Sequence, residues 1–163
     1  MNYASINKVD IANGEGIRVS LFVSGCKHHC QGCFNKEAWD FEFGKQFSDE
    51  TTAEIINALS HEYISGLTLL GGEPFDPNNI QYTTDLCRMV KSQYPQKTIW
   101  AYTGYCYDDI YQTEIMDYID ILVDGPFMYD QKDLTLIFRG SKNQRIIDVK
   151  KSMATKNVVL YME

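Results

Sequence analysis

The chain has no run of basic side chains, and that absence bounds its partners first. Lysine and arginine number 15 against 22 aspartates and glutamates, for a net charge of −7, so the electrostatic footprint of a nucleic-acid binder is missing. No stretch approaches the roughly 18 consecutive apolar residues of a membrane-spanning helix, and the first fifteen residues hold no apolar signal core. These absences predict a cytosolic protein that works with neither nucleic acid nor membrane. Cysteine is scarce as well. There are five, and three of them fall within eight residues, which is no disulfide framework. With no internal repeat, low-complexity tract or linker, residues 1–163 are expected to form one domain.

What is present centres on GCKHHCQGC, with Cys26, Cys30 and Cys33. Thiolates are soft donors that select iron–sulfur clusters, zinc or copper(I). A four-iron cubane normally takes one cysteine per iron, so three close cysteines leave it one ligand short and able to bind a substrate. The spacing also admits zinc, with a fourth ligand from His28, His29, Cys87 or Cys106 closing a tetrahedron. His28 and His29, inside the short CxxxC span, read as solvated loop residues. The alternating apolar run Ile17 to Val23 predicts a strand just before the cysteines. That places them on a loop at a strand's C-terminal end, where open α/β folds carry their chemistry.

A second buried strand, Leu67 to Leu70, runs into Gly71, Gly72, Glu73 and Pro74. Paired glycines at a strand end mark close approach to the backbone by a ligand. Between these strands, Thr51 to Glu54 has a capping-box pattern opening a helix with Ile55, Ile56, Leu59 and Tyr63 on one face, and Gly66 ends the connection. Pro77 and Asn78 precede a further helix with Leu86, Met89 and Val90 as its apolar face and Cys87 as a core thiol. A third strand is expected over Thr98 to Tyr102, a third helix over Asp108 to Tyr118 and a fourth strand over Ile119 to Val123. The runs Leu134 to Phe138, Ile146 to Val149 and Val158 to Tyr161 are too short for periodicity to assign. Asn13 to Gly16 reads as a turn entering the first strand, with Arg18 a strand residue.

CxxxCxxC followed one βα unit later by GGEP resembles the radical S-adenosylmethionine superfamily. There, three such cysteines hold a 4Fe-4S cluster and the GGE strand end helps hold a methionine moiety. The resemblance implies that Cys26, Cys30 and Cys33 are the metal ligands and that S-adenosylmethionine chelates the fourth iron. It also implies cofactor contacts at Gly32, Cys33, Phe34, Gly71, Gly72 and Glu73. The residue before the third cysteine is usually aromatic; here it is Gly32, with Phe34 displaced beyond the cysteine, and the adenine contact is assigned to that pair. The stretches VDIANGEGIRVSLFVSGC, WAYTGY, LVDGPF and FRGSKNQRIID, of which RGSKNQR discriminates most, are similar to the activases of the anaerobic ribonucleoside-triphosphate reductase.

That likeness implies reductive cleavage of S-adenosylmethionine to a 5′-deoxyadenosyl radical, which leaves a glycyl radical on the reductase, with electrons from a flavodoxin-like donor. Asp124 and Asn143 to Arg145 are placed beside the site at most, and Cys106 is read as an incidental thiol. The implied fold is α/β, a partial, open βα barrel of mostly parallel strands, because a closed eight-stranded barrel usually needs about 250 residues. An open side suits a protein substrate. Two other readings stand: an activase of a different glycyl radical enzyme, of the formate-lyase type, and a zinc-stabilised interaction module.

Overall fold

The computed structural model describes residues 1–163. Alternation in Ile17–Val23 builds a strand, β2, with the bounds the sequence predicts; β1 (Asn2–Asp10) pairs with it and β3 (Lys45–Gln46) lies beyond β1, and both escape the sequence pattern. Parallel to β2 run β4 (Ile64–Gly71), β5 (Thr98–Tyr102) and β6 (Ile121–Asp124). Two further strands, β7 (Arg145–Asp148) and β8 (Leu160–Met162), complete one eight-stranded sheet of order β3-β1-β2-β4-β5-β6-β7-β8.

The expectation of mostly parallel strands holds at the centre and gives way at both flanks, where β3, β1, β7 and β8 pair antiparallel. Parallel neighbours need long crossovers, and the three central pairings have them. The sheet does not close, so the α/β class and the openness hold. The last two short apolar runs become β7 and β8, whereas Leu134 to Phe138 forms turns rather than a strand.

Side chains alternate across the sheet with period two. Val19, Leu21, Leu67, Leu69, Ile99 and Leu122 join the main core, which also takes Ile55, Leu59, Leu86 and Val90 from helices α1 (Asp49–Leu59) and α2 (Ile80–Gln93). The opposite parity gives a second cluster of Trp100, Ile121, Val123 and Ile146. Gly66 does not end a connection. It lies within β4, where a Cβ would sit 1.8 Å from the Thr98 carbonyl oxygen.

The helices correct the sequence reading in detail. Helix α1 is capped by Ser48, which forms a reciprocal box with Thr51, three residues earlier than expected. Asp49 and Glu50 then occupy the first turn, where the helix dipole favours acidic side chains, and Tyr63 falls beyond the helix. In α2 the buried stripe is Thr83, Leu86, Cys87 and Val90. Met89 falls off that i, i+3, i+4 stripe and is 46% exposed. The single helix expected over Asp108 to Tyr118 is one turn, α3 (Tyr107–Ile110), then a separate 3-10 turn, Glu114–Asp117. Thr113 breaks it by taking an extended conformation. An unpredicted helix, α4 (Val149–Thr155), is capped by Asp148 and ends at Lys156 in the left-handed region.

Candidate functional site

The segment after β2 folds back on itself through backbone contacts. Gly25 N–H donates to Ala38 O at 2.7 Å, Cys26 N–H to Trp39 O at 3.3 Å and Cys33 N–H to Cys30 O at 3.1 Å. His29 takes a positive φ of 49° and stacks on Trp39 with ring centroids 4.3 Å apart. Cys26, Cys30 and Cys33 come out half-buried and unbridged. All three line one cavity of about 400 Å³ at the C-terminal ends of the parallel strands, together with Gly71, Gly72 and Glu73. Of the sequence-predicted metal and cofactor residues, Cys26, Cys30, Cys33, Phe34, Gly71, Gly72 and Glu73 line this one space, and Gly32 does not.

The donor chemistry fits a polynuclear cluster. Burial pushes the Cys26 thiol up to about 11, while backbone N–H groups of His28 and His29 act in the opposite sense. A thiol so placed gives up its proton when a strong cation takes the sulfur. A cubane takes its thiolates on separate irons, one cysteine to each. The donors a zinc tetrahedron would borrow are engaged elsewhere. His28 is bonded to Glu73, His29 lies on Trp39, Cys87 is sealed in the main core and Cys106 is exposed at the start of α3, outside the lining of the cavity.

Glu73 is the centre of the polar framework. It is 1% exposed, and both carboxylate oxygens are saturated. Oε1 accepts from His28 Nε2 at 2.8 Å and from Gly104 N–H at 2.7 Å. Oε2 accepts from Thr103 Oγ1 at 2.8 Å and from Phe75 N–H at 2.9 Å. His28 is therefore no solvated loop residue. The bond to Glu73 raises its pKa above the usual histidine value. A Cβ at Gly104 would lie 2.5 Å from the His28 ring, so glycine is what lets the imidazole reach the carboxylate.

The paired glycines serve the fold in a way the sequence did not disclose. Gly71 has a φ of +110°, and a Cβ there would meet the Val23 backbone at 2.7 Å; at Gly72 it would meet Gly25 O at 2.6 Å. They let the cysteine loop seat on the end of β4. Gly32, with a φ of +77°, leaves room for the Tyr129 ring. Phe34 is 70% exposed and lies 5.8 Å from Phe127 at the cavity mouth.

The far wall comes from FRGSKNQR, of which Phe138, Arg139, Gly140 and Gln144 line the cavity. Gln144 Oε1 accepts from Gly140 and Ser141 N–H at 2.9 and 3.1 Å, and its Nε2 donates to Gly125 O at 3.1 Å. Sequence reasoning set Gln144 aside with its neighbours; the motif's position in the family pattern was the only signal for it. Asp124 stays outside the cavity as a buried partner of Arg145 and of Tyr107 N–H. Arg18 is a buried strand residue whose five N–H donors all end on protein oxygens. The turn expected at Asn13 to Gly16 is present, with positive φ at Gly14 and Gly16, and Asn13 reaches the cavity.

Comparison with known proteins agrees with the cysteine loop. The family of 4Fe-4S single cluster domains matches residues 12–147. The chain is 43% identical over 148 residues to the anaerobic ribonucleoside-triphosphate reductase-activating protein of Enterobacteria phage T4, covering 90% of this chain and 93% of that one. The protein of the same name from Haemophilus influenzae is 44% identical over 150 residues, covering 90% and 97%. That of Escherichia coli strain K12 is 43% identical over 148 residues, covering 88% and 96%.

Proposed function

Because the chain belongs to the family of anaerobic ribonucleoside-triphosphate reductase-activating proteins, built on a 4Fe-4S single cluster domain, we propose that it is a radical S-adenosylmethionine activase that installs a glycyl radical on that reductase. The observation that carries the reading is the shared cavity, in which three thiols face a strand end organised by a buried glutamate. Cys26, Cys30 and Cys33 would hold a 4Fe-4S cluster, with one iron left for the amino and carboxylate groups of S-adenosylmethionine. When bound, this pair supplies one-electron cleavage of the sulfonium to a 5′-deoxyadenosyl radical able to take a hydrogen atom from a glycine Cα.

The protein's own part is to hold and to exclude. Gly71 and Gly72 present backbone beside the methionine portion. Glu73 fixes His28, Thr103 and Gly104 around it rather than offering a free oxygen. Gly32 and Phe34 border the adenine side. The low potential that sulfonium cleavage requires lies at the bottom of the range of cluster potentials, about −700 to +450 mV, which calls for a flavodoxin-like donor in a reducing, cytosolic setting. The mouth suits a protein substrate. Phe34 is 70% exposed where it lines the cavity, and Leu134 and Ile137, 84% and 64% exposed, lie on the segment whose Leu136 lines it; exposed apolar side chains of this kind offer a partner a place to dock.

The test is to reconstitute the protein anaerobically, reduce it, add S-adenosylmethionine and the reductase, and record the electron paramagnetic resonance spectrum. A glycyl doublet on the reductase with 5′-deoxyadenosine and methionine formed is the expected result. Nucleoside released without a doublet would assign another substrate, and a colourless protein carrying a single zinc would end the proposal.

A further inference from the structure

The cavity of the three cysteines has a single lysine or arginine among its lining residues, Arg139 of the FRGSKNQR wall. No carboxylate of the protein pairs with it. Its Nη1 donates to Gln144 O at 2.6 Å and to Lys142 O at 3.4 Å, which leaves Nε and Nη2 with no acceptor in the chain. The residue is half-buried, so it is not sealed away from the space it borders. Guanidinium is always charged and only donates, and here part of its donor set is unspent.

The backbone is strained where it delivers this side chain. Phe138, the residue before, has a φ of +62°, a left-handed conformation that is an outlier for a bulky residue. Strain of this kind persists only where the surroundings hold it, and it gathers at binding and active sites. The Phe138 ring meets Trp100 edge-on with centroids 5.4 Å apart, while the next residue is tied to Gln144 O. Gln144 is itself bonded to Gly125, Gly140 and Ser141. Both sides of the bend are therefore fixed by protein groups, and the guanidinium is preset.

The proposed target decides what those donors take. Glycine has no side chain to recognise, so inside the cavity a site can hold it only by main-chain N–H and C=O groups, and arginine selects the C=O. Leu134 and Ile137, exposed on the same segment, bring a docked partner beside Arg139. We infer that Arg139 binds the glycine-bearing segment of the reductase by donating hydrogen bonds to its main-chain carbonyl oxygens. This rests on the function proposed above and adds to it the residue that orients the protein substrate. Glycine loses more conformational freedom on ordering than any other residue, and a planar, preorganised fork of donors offsets part of that cost.

The experiment follows glycyl radical formation against reductase concentration for wild-type, Arg139→Lys and Arg139→Gln protein, all cluster-reconstituted and anaerobic. Each is also titrated calorimetrically with S-adenosylmethionine alone. The expected result is a half-saturating reductase concentration raised about tenfold in both variants, equivalent to about 1.4 kcal/mol. The rate at saturating reductase and the affinity for S-adenosylmethionine should change less. Lysine fails along with glutamine because a point charge does not reproduce the fork. Half-saturation equal to wild type in the glutamine variant overturns the inference, and rescue by lysine alone overturns it by making the partner an acidic side chain. An equal loss of affinity for S-adenosylmethionine makes Arg139 a support of the wall or of the cofactor, and overturns it too. Wild-type protein that cleaves S-adenosylmethionine without forming a glycyl radical is a different outcome, which removes the proposed function itself.

Discussion

His28 Nε2 lies 2.8 Å from Glu73 Oε1, and this contact ties the cysteine loop to the end of β4 across 45 residues of chain. The same carboxylate holds Thr103 and Gly104. One buried group therefore fixes the relative positions of three segments that meet at the cavity.

Replacing Glu73 with glutamine should loosen all three. The amide keeps the shape, but it loses the charge and presents N–H where donors already point. Hydrogen bonds to charged groups contribute about 1.5–3 kcal/mol each, and a loss of about 2–3 kcal/mol is expected in urea unfolding of the metal-free protein. Iron retained after anaerobic reconstitution should fall in parallel. Wild-type stability in the variant would show that Glu73 does not organise the loop.

A pH dependence follows from Asp10. Burial by itself raises this carboxyl, but hydrogen bonds from Ser20, Asn13 and the Ala12 N–H outweigh it and hold the pKa below the usual aspartate value. A depressed carboxylate stabilises the fold above its unfolded pKa of about 3.9, and that contribution disappears as pH falls through the lower folded value. Urea unfolding from pH 6 to pH 3 should therefore show a wild-type advantage over Asp10→Asn that is constant at the upper end and shrinks below about pH 4. An advantage that is the same at both ends would remove Asp10 as the source.

The mouth of the cavity makes a separable prediction. Leu134 and Ile137 are exposed on a segment held by Lys142 N–H to Gln131 O, Asp133 N–H to Gly140 O and Met128 N–H to Ser141 Oγ. Changing both side chains to serine should alter stability by no more than about 0.5 kcal/mol each, as for ordinary surface sites. Affinity for the reductase should drop roughly tenfold, at about 1 kcal/mol or less per truncated contact. Release of 5′-deoxyadenosine without the reductase should persist, and glycyl radical yield at limiting reductase should fall. Equal loss of both would place the two residues in the cofactor site.

Local pattern made some of this legible and long-range pairing hid the rest. Ile17 to Val23 and Thr98 to Tyr102 have the predicted bounds because buried central strands show their alternation directly. Cys26, Cys30 and Cys33 stand out by their spacing, which by itself admits both a cluster and zinc. Strand β1 was not, since NYASINKVD buries only Tyr3 and Asp10 and is held by its pairing with β2, which leaves no mark on side-chain type. His28 looked like a solvated residue because nothing near it in sequence announces Glu73. Gly71 and Gly72 were noticed for the space they leave to a ligand, yet the surface that demands them is the protein's own backbone.

The contacts around Gly25, Cys26 and His28 run between protein groups, so the thiol-bearing segment is anchored to Ala38, Trp39 and Glu73 by bonds that no ligand has to supply. A substitution that breaks one of these anchors therefore acts on the course of the polypeptide first, and on whatever the three sulfurs hold only through it.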